Sequence, residues 1–149
     1  MKALKNHFST QAEVYATFRP RYPDALFEFL FSATTQKETS WDCGTGNGQV
    51  AVKLAERFHL VYATDISERQ LSNALVRENV TYLVGRAEET TISDGSINLT
   101  TVAQALHWFD TEAFYREVHR VATPQTVIAV WGYNLLRVSP AIDALGGKI

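Results

Sequence analysis

Hydrophobic positions along this chain follow two periods. Leu26, Phe27, Leu30 and Phe31 recur three and four apart after Tyr22-Pro23-Asp24. That spacing predicts a helix with one buried face, with Pro23 placed early, where a missing N–H costs nothing. Residues 38–42, Glu-Thr-Ser-Trp-Asp, run into a glycine-rich turn, and Ala51, Leu54, Ala55 and Phe58 mark a second helical stripe from Gln49 onward. Residues 59–64 are a short apolar strand ending in Asp65, after which Ser67 and Gln70 form a capping box that opens a helix. A third strand covers 80–84, Asp94-Gly95 turns the chain, and a fourth strand covers 97–102. Phe114, Val118 and Val121 form a further helical stripe, and 126–131 is the fifth strand.

Strands alternating with helices imply right-handed parallel crossovers, and hence an open α/β sheet of five mainly parallel strands flanked by helices. Such sheets bind ligands beyond the carboxyl ends of the strands, where strand order reverses.

Composition narrows the class. At 149 residues, 46% hydrophobic and 20% charged, the chain fits one compact domain. Fourteen Lys and Arg against sixteen Asp and Glu leave a net charge of −2, which supplies no basic field for a nucleic-acid backbone. The single cysteine, Cys43, has no disulfide partner and no His/Asp arrangement beside it, so it reads as a small buried filler. The start of the chain lacks the apolar core of a signal peptide and no apolar run spans a bilayer, which predicts a cytoplasmic protein without membrane association. His7, His59 and His119 have no metal-ligand spacing, so no metal site is expected.

The candidate chemistry sits at the strand ends. Gly44, Gly46 and Gly48, between a strand and a helix, let the backbone turn sharply and approach a ligand. A dinucleotide fingerprint needs its third glycine at position 49, which is Gln49, so a nicotinamide cofactor is the weaker reading. Asp65 lies 19 positions after Gly46 at the end of the second strand, where a carboxylate can accept from both hydroxyls of a ribose. Capping the next helix is its plainer alternative.

Five separated segments together resemble a known family. They are Tyr15 to Pro23, Asp42-Cys43-Gly44-Thr45-Gly46-Asn47-Gly48, Ala63-Thr64-Asp65-Ile66-Ser67, Gly85-Arg86-Ala87-Glu88 and Val102 to Asp110. In this order they are similar to class I S-adenosylmethionine-dependent methyltransferases of the small-molecule branch that includes ubiquinone-biosynthesis-type and trans-aconitate-type enzymes. The resemblance implies a Rossmann-like fold and the cofactor S-adenosylmethionine. It implies that Asp42 faces the methionine amino group, that Gly44 and Gly46 line the methionine and ribose, and that Asp65, with Ile66 beside it, holds the ribose. Ala87 would meet the adenine edge through its N–H, with Glu88 nearby and Gln104 at the methionine end. Many relatives carry an aspartate where this chain has Arg86, which cannot accept from the adenine amino group. Tyr15 and Arg19 resemble residues that cover the cofactor, and Arg19 could pair with a carboxylate of methionine or substrate, with a surface salt bridge as its alternative. His107 is the one candidate base, with a structural hydrogen bond as its alternative, and Trp108 reads as a pocket wall.

The expected organisation is one domain over 1–149, with a lid at 1–35, a core at 36–138 and a short tail at 139–149. Family members usually add two strands after the fifth, and this chain is expected to lack them. The edge of the fifth strand would then be open to pairing, which suggests a homodimer. The expected partner is a small-molecule methyl acceptor. The alternatives are a cofactor-binding module without turnover and a nicotinamide-dependent oxidoreductase.

Overall fold

The computed structural model describes residues 22–132 and 135–140, apart from the side chains of His107 and Leu135. Helix α1 spans Asp24–Ala33, with Pro23 as its N-cap residue and Phe27, Leu30 and Phe31 as its buried face. Strand β1 (Thr39–Cys43) leads through the glycine turn into α2 (Gln49–Leu54), β2 (Leu60–Asp65) and the short α3 (Glu68–Ser72). There follow β3 (Val80–Val84), β4 (Ile97–Ala103), α4 (Thr111–Val121), β5 (Ala122–Gly132) and β6 (Leu135–Pro140). Helix α2 stops earlier than its stripe suggests, yet Phe58 is still buried, because the turns after Leu54 carry it back onto the sheet.

The sheet order is β3-β2-β1-β4-β5-β6. The first five strands are parallel, β6 is antiparallel to β5, and the order reverses between β1 and β4. One face packs Phe27, Leu30 and Phe31 of α1 and the buried residues of α2 over Val61, Ala63 and Ala129. The other packs Phe114, Val118 and Val121 of α4 over Trp41, Val102, Ile128 and Val130. Each fully buried side chain of this size contributes about 1.5–3 kcal/mol of transfer free energy. At the centre, Trp41 is fully buried, donates its indole N–H to Thr64 Oγ1 at 2.9 Å and meets Phe114 edge-on at 5.8 Å.

The sheet therefore has six strands, not the five expected. The sequence signal for β6 is weak: six residues, with Leu136 and Arg137 both exposed and Pro140 at the end, as suits an edge strand that need not donate on its outer side. Its pairing runs from Gly132↔Leu135 to Val127↔Pro140, so Ser139 and Pro140 belong to the sheet. Strand β6 covers the β5 edge that was expected to be open. Among the described residues no helix is long and apolar enough to cross a membrane.

The β3–β4 connection, which carries Ala87 and Glu88, is pinned to α4 by one buried acid. The Glu117 carboxylate accepts from Thr90 N–H at 2.7 Å and Thr90 Oγ1 at 2.6 Å, and from Arg120 Nε at 2.8 Å and Nη2 at 2.7 Å. Arg120 also pairs with Asp94. Burial alone would raise the Glu117 carboxyl, but the Arg120 and Thr90 hydrogen bonds outweigh it and hold it below its ordinary value. A depressed folded-state value gives stability that is present above the unfolded value and lost as pH falls through the folded one. Glu117→Gln, which keeps the shape and removes the charge, is expected to cost about 2 kcal/mol at pH 7. In denaturant titrations the gap between variant and wild type should narrow below pH 4.5, the ordinary carboxyl value.

Candidate functional site

A cleft of about 810 Å³ opens beyond the carboxyl ends of β1, β2 and β4, across the point where strand order reverses. Asp42, Gly44, Gly46, Asp65, Ile66, Ala87, Glu88 and Gln104 all line it, together with Tyr22 and Trp108. Tyr15 and Arg19 lie outside the described residues. His107 belongs to a 3-10 turn, Leu106–Trp108, and the role assigned to its side chain also lies outside what the structure describes.

The three glycines of the turn share one reason to be glycine, and two of them have a second. All have positive φ, +70° at Gly44, +58° at Gly46 and +86° at Gly48. A Cβ on Gly44 would sit 2.7 Å from Ala105 Cβ and 3.3 Å from the Phe109 ring. One on Gly48 would sit 2.1 Å from the Tyr82 hydroxyl oxygen, so internal packing by itself already requires glycine there. Only the Gly46 Cβ position meets nothing within 4 Å. Backbone there can be approached closely from the cleft.

Asp42, the last residue but one of β1, is almost fully buried, 1% exposed. Its Oδ1 accepts from Thr101 Oγ1 and its Oδ2 from Thr45 Oγ1, each at 2.6 Å. Burial pushes its carboxyl up to about 6; the two hydroxyls oppose the rise, and the nearby Asp65 adds to it. A carboxylate so placed gains from a cation delivered into the cleft.

Asp65 fills the helix-capping role that the sequence left open and also ties down the glycine turn. Its Oδ1 accepts from Ser67 N–H at the start of α3, and its Oδ2 from Gly46 N–H, both at 2.9 Å. The Ser67 hydroxyl accepts from Gln70 N–H at 3.2 Å, but Asp65 takes the Ser67 N–H that a full capping box would give to Gln70. Two oxygens with about four acceptor positions leave capacity toward the cleft.

Along the rim, Ala87 is buried, and Glu88 accepts from Asp110 N–H at 2.8 Å, tying this loop to the segment after β4. Arg86 is an exposed guanidinium 3.6 Å from Glu88. Ile66 and Trp108 project apolar surface at the cleft, 73% and 79% exposed. Cys43 is buried, with its thiol pushed up by burial, as suits a filler.

Sequence reasoning missed four contributors. Thr101 faces Asp42 only because β1 and β4 pair in the register Asp42↔Thr101, which no local pattern reveals. Tyr22 reaches Gln104 across 82 positions, and Tyr82 reaches Gly48 between separate strand–helix units. Thr45, three residues from Asp42, was the one with a local signal, a hydroxyl within reach of an acid in the same turn.

Residues 41–130 match the family described as "Methyltransferase domain". A protein of Dictyostelium discoideum named as a methyltransferase is 36% identical over 138 residues, covering 92% of this chain and 52% of that protein. A solved structure from Anaeromyxobacter dehalogenans, named as a type II methyltransferase, superposes with a TM-score of 0.75 at 45% identity over 85% of this chain and 54% of that one. A Methanococcus maripaludis structure named as an S-adenosyl-L-methionine-dependent methyltransferase gives a TM-score of 0.72 at 22% identity, covering 83% and 61%, a likeness of fold alone. The chain spans about half the length of the curated relatives it matches.

Proposed function

The chain belongs to the methyltransferase domain family, and from that premise we propose that it binds S-adenosylmethionine in this cleft and transfers its methyl group to a small molecule. The observation that carries the reading is the pair of carboxylates, Asp42 and Asp65, that line one cleft together with Gly46, whose Cβ position is open. The residues present fit such a ligand. Asp42 suits an ammonium, Asp65 retains acceptor capacity for ribose hydroxyls, and Gly46 leaves room for close approach. The buried Asn47 Oδ1 has no hydrogen-bond partner among the described residues and can take a donor.

In this reading Asp42 holds the methionine ammonium, Asp65 the ribose, and Ala87 the adenine edge, with Ile66 as an apolar wall. Glu88 acts through Asp110, keeping the adenine rim in register with the mouth at Trp108. When bound, the cofactor supplies a methyl group on a sulfonium that is already an activated leaving group. The chain's own contribution is to fix the line of approach and exclude water. A second reading is a cofactor-binding module without turnover, since a site built for the cofactor does not by itself supply an acceptor. Incubation with methyl-labelled S-adenosylmethionine and a metabolite extract separates the two. Label in a small molecule supports turnover; cofactor binding without any labelled product supports the module.

Asp42 gives this reading a pH signature. With its folded value raised from 3.8 to about 6, the proton it holds between those values competes with a ligand ammonium. Sign follows directly: the raised value stabilises the free protein at low pH and is lost as pH rises through 6, whereas ammonium binding needs the ionised form. Affinity for S-adenosylhomocysteine should fall about tenfold from pH 7 to pH 5. Methylthioadenosine, which lacks the methionine moiety's α-ammonium, should change much less in the same calorimetry.

A further inference from the structure

One corner of the cleft is built around a strained residue. Gln104, just after β4, is the one non-glycine residue with positive φ among the described residues, at +59°. Its N–H is held by the Trp131 carbonyl at 2.7 Å, and its side-chain amide donates to the Tyr22 hydroxyl oxygen. Tyr22 in turn stands edge-on to the Trp131 ring, 5.6 Å between centroids and 88° between planes. Strain of this kind costs about 1–3 kcal/mol and persists where the surroundings over-determine it, characteristically at ligand sites. Here the backbone bond to Trp131 fixes Gln104, and Gln104 with Trp131 fixes the Tyr22 ring and oxygen.

A phenol that accepts one hydrogen bond still has its own proton to give. No described residue accepts that proton, and Tyr22 lines the cleft. The charges around it say what would. The described residues lining the cleft include three acids, Asp42, Asp65 and Glu88, and one guanidinium, Arg86, which is already beside Glu88. A ligand that presents an ammonium to Asp42 and carries a carboxylate on the same carbon places an anion next to buried acid. That anion needs a donor without bringing a second acid close, and a neutral hydroxyl held in place meets the need.

We propose that Tyr22 is a cofactor-binding residue that donates its phenolic proton to the α-carboxylate of the methionine moiety, with Gln104 as the residue that positions it. The inference rests on the S-adenosylmethionine reading above and adds to it a residue and the ligand group it contacts.

Tyr22→Phe removes one oxygen and keeps the ring against Trp131, so folding is expected to hold. The test is calorimetry of wild type and variant with two ligands, S-adenosylhomocysteine and its decarboxylated analogue, which keeps the amine and lacks the carboxylate. Tyr22→Phe should weaken S-adenosylhomocysteine about tenfold or more, as befits loss of a hydrogen bond to a charged group. The decarboxylated analogue should change less than about twofold. Equal losses for both ligands would make Tyr22 a packing residue and overturn the proposal, and no loss for either would do the same. If wild type binds neither ligand, the S-adenosylmethionine reading itself fails and takes the proposal with it.

Discussion

Replacing Asp65 with alanine should reduce affinity for S-adenosylhomocysteine by about a hundredfold or more, the scale of two charge-assisted hydrogen bonds to ribose hydroxyls. From the sequence alone, such a change ought to spare the fold. The structure adds a cost, because the same carboxylate accepts from Gly46 N–H and Ser67 N–H and so ties the glycine turn to the start of α3. Both donors lie beside an open cleft where water can replace the carboxylate, so the expected loss of stability is about 1–2 kcal/mol. Asp65→Asn tests the same point with the shape kept. One of its two side-chain atoms must be an N–H₂ facing a backbone N–H, so the variant should bind more weakly than wild type although it is isosteric. Unchanged ligand affinity in Asp65→Ala would refute the ribose assignment.

The second large effect separates two glycines that look alike in the sequence. Gly44→Ala forces a Cβ into Ala105 and Phe109 at a φ of +70°. Left-handed backbone costs about 1–2 kcal/mol and overpacking about 1–3 kcal/mol. The melting temperature is therefore expected to drop by about 10 °C. Gly46→Ala meets no atom within 4 Å and carries only the cost of its φ of +58°. It should melt only a few degrees below wild type, yet lose at least tenfold in cofactor affinity, since its methyl enters the space the ligand would use. Equal melting temperatures for the two variants, or an unimpaired Gly46→Ala, would show that the turn does not cradle a ligand in the way described.

Much of this architecture was legible along the chain. The stripes at Leu26 to Phe31 and Phe114 to Val121 are strong helical patterns, and the runs around Val80 and Ile97 are β-rich and bounded by turn residues. Each element signals itself within a few residues, and alternation then fixes a parallel sheet. Strand β6 was missed because its short pattern, with Leu136 and Arg137 both exposed, has no clear buried face. The site was legible where its function is local: Asp42, Gly46 and Asp65 sit at strand ends that the pattern already places. What the sequence could not convey is what these groups do for one another. Thr101 opposite Asp42 is a fact of register, and Tyr22 against Gln104 is a fact of tertiary packing. Gly48, which reads as part of a ligand turn, is glycine because a tyrosine on β3 fills its Cβ position.

Arg86 and Glu88 make the same point from the other rim. A family resemblance draws attention to the side chains, yet Glu88 is engaged with Asp110 N–H and Arg86 is exposed beside it. Under the proposed reading, Glu88 keeps acceptor positions beyond its bond to Asp110 N–H, whereas the Arg86 guanidinium has none to offer the adenine amino group. Arg86→Ala should accordingly change S-adenosylhomocysteine affinity by less than about threefold, as expected for an exposed charge.

The central claim is that two acids and one open glycine make an S-adenosylmethionine site. Calorimetry of the intact chain with S-adenosylmethionine, S-adenosylhomocysteine and NAD tests it most directly. Saturable one-to-one binding of the first two, with none of NAD, is the expected result, and tight binding of NAD with neither of the others would contradict it.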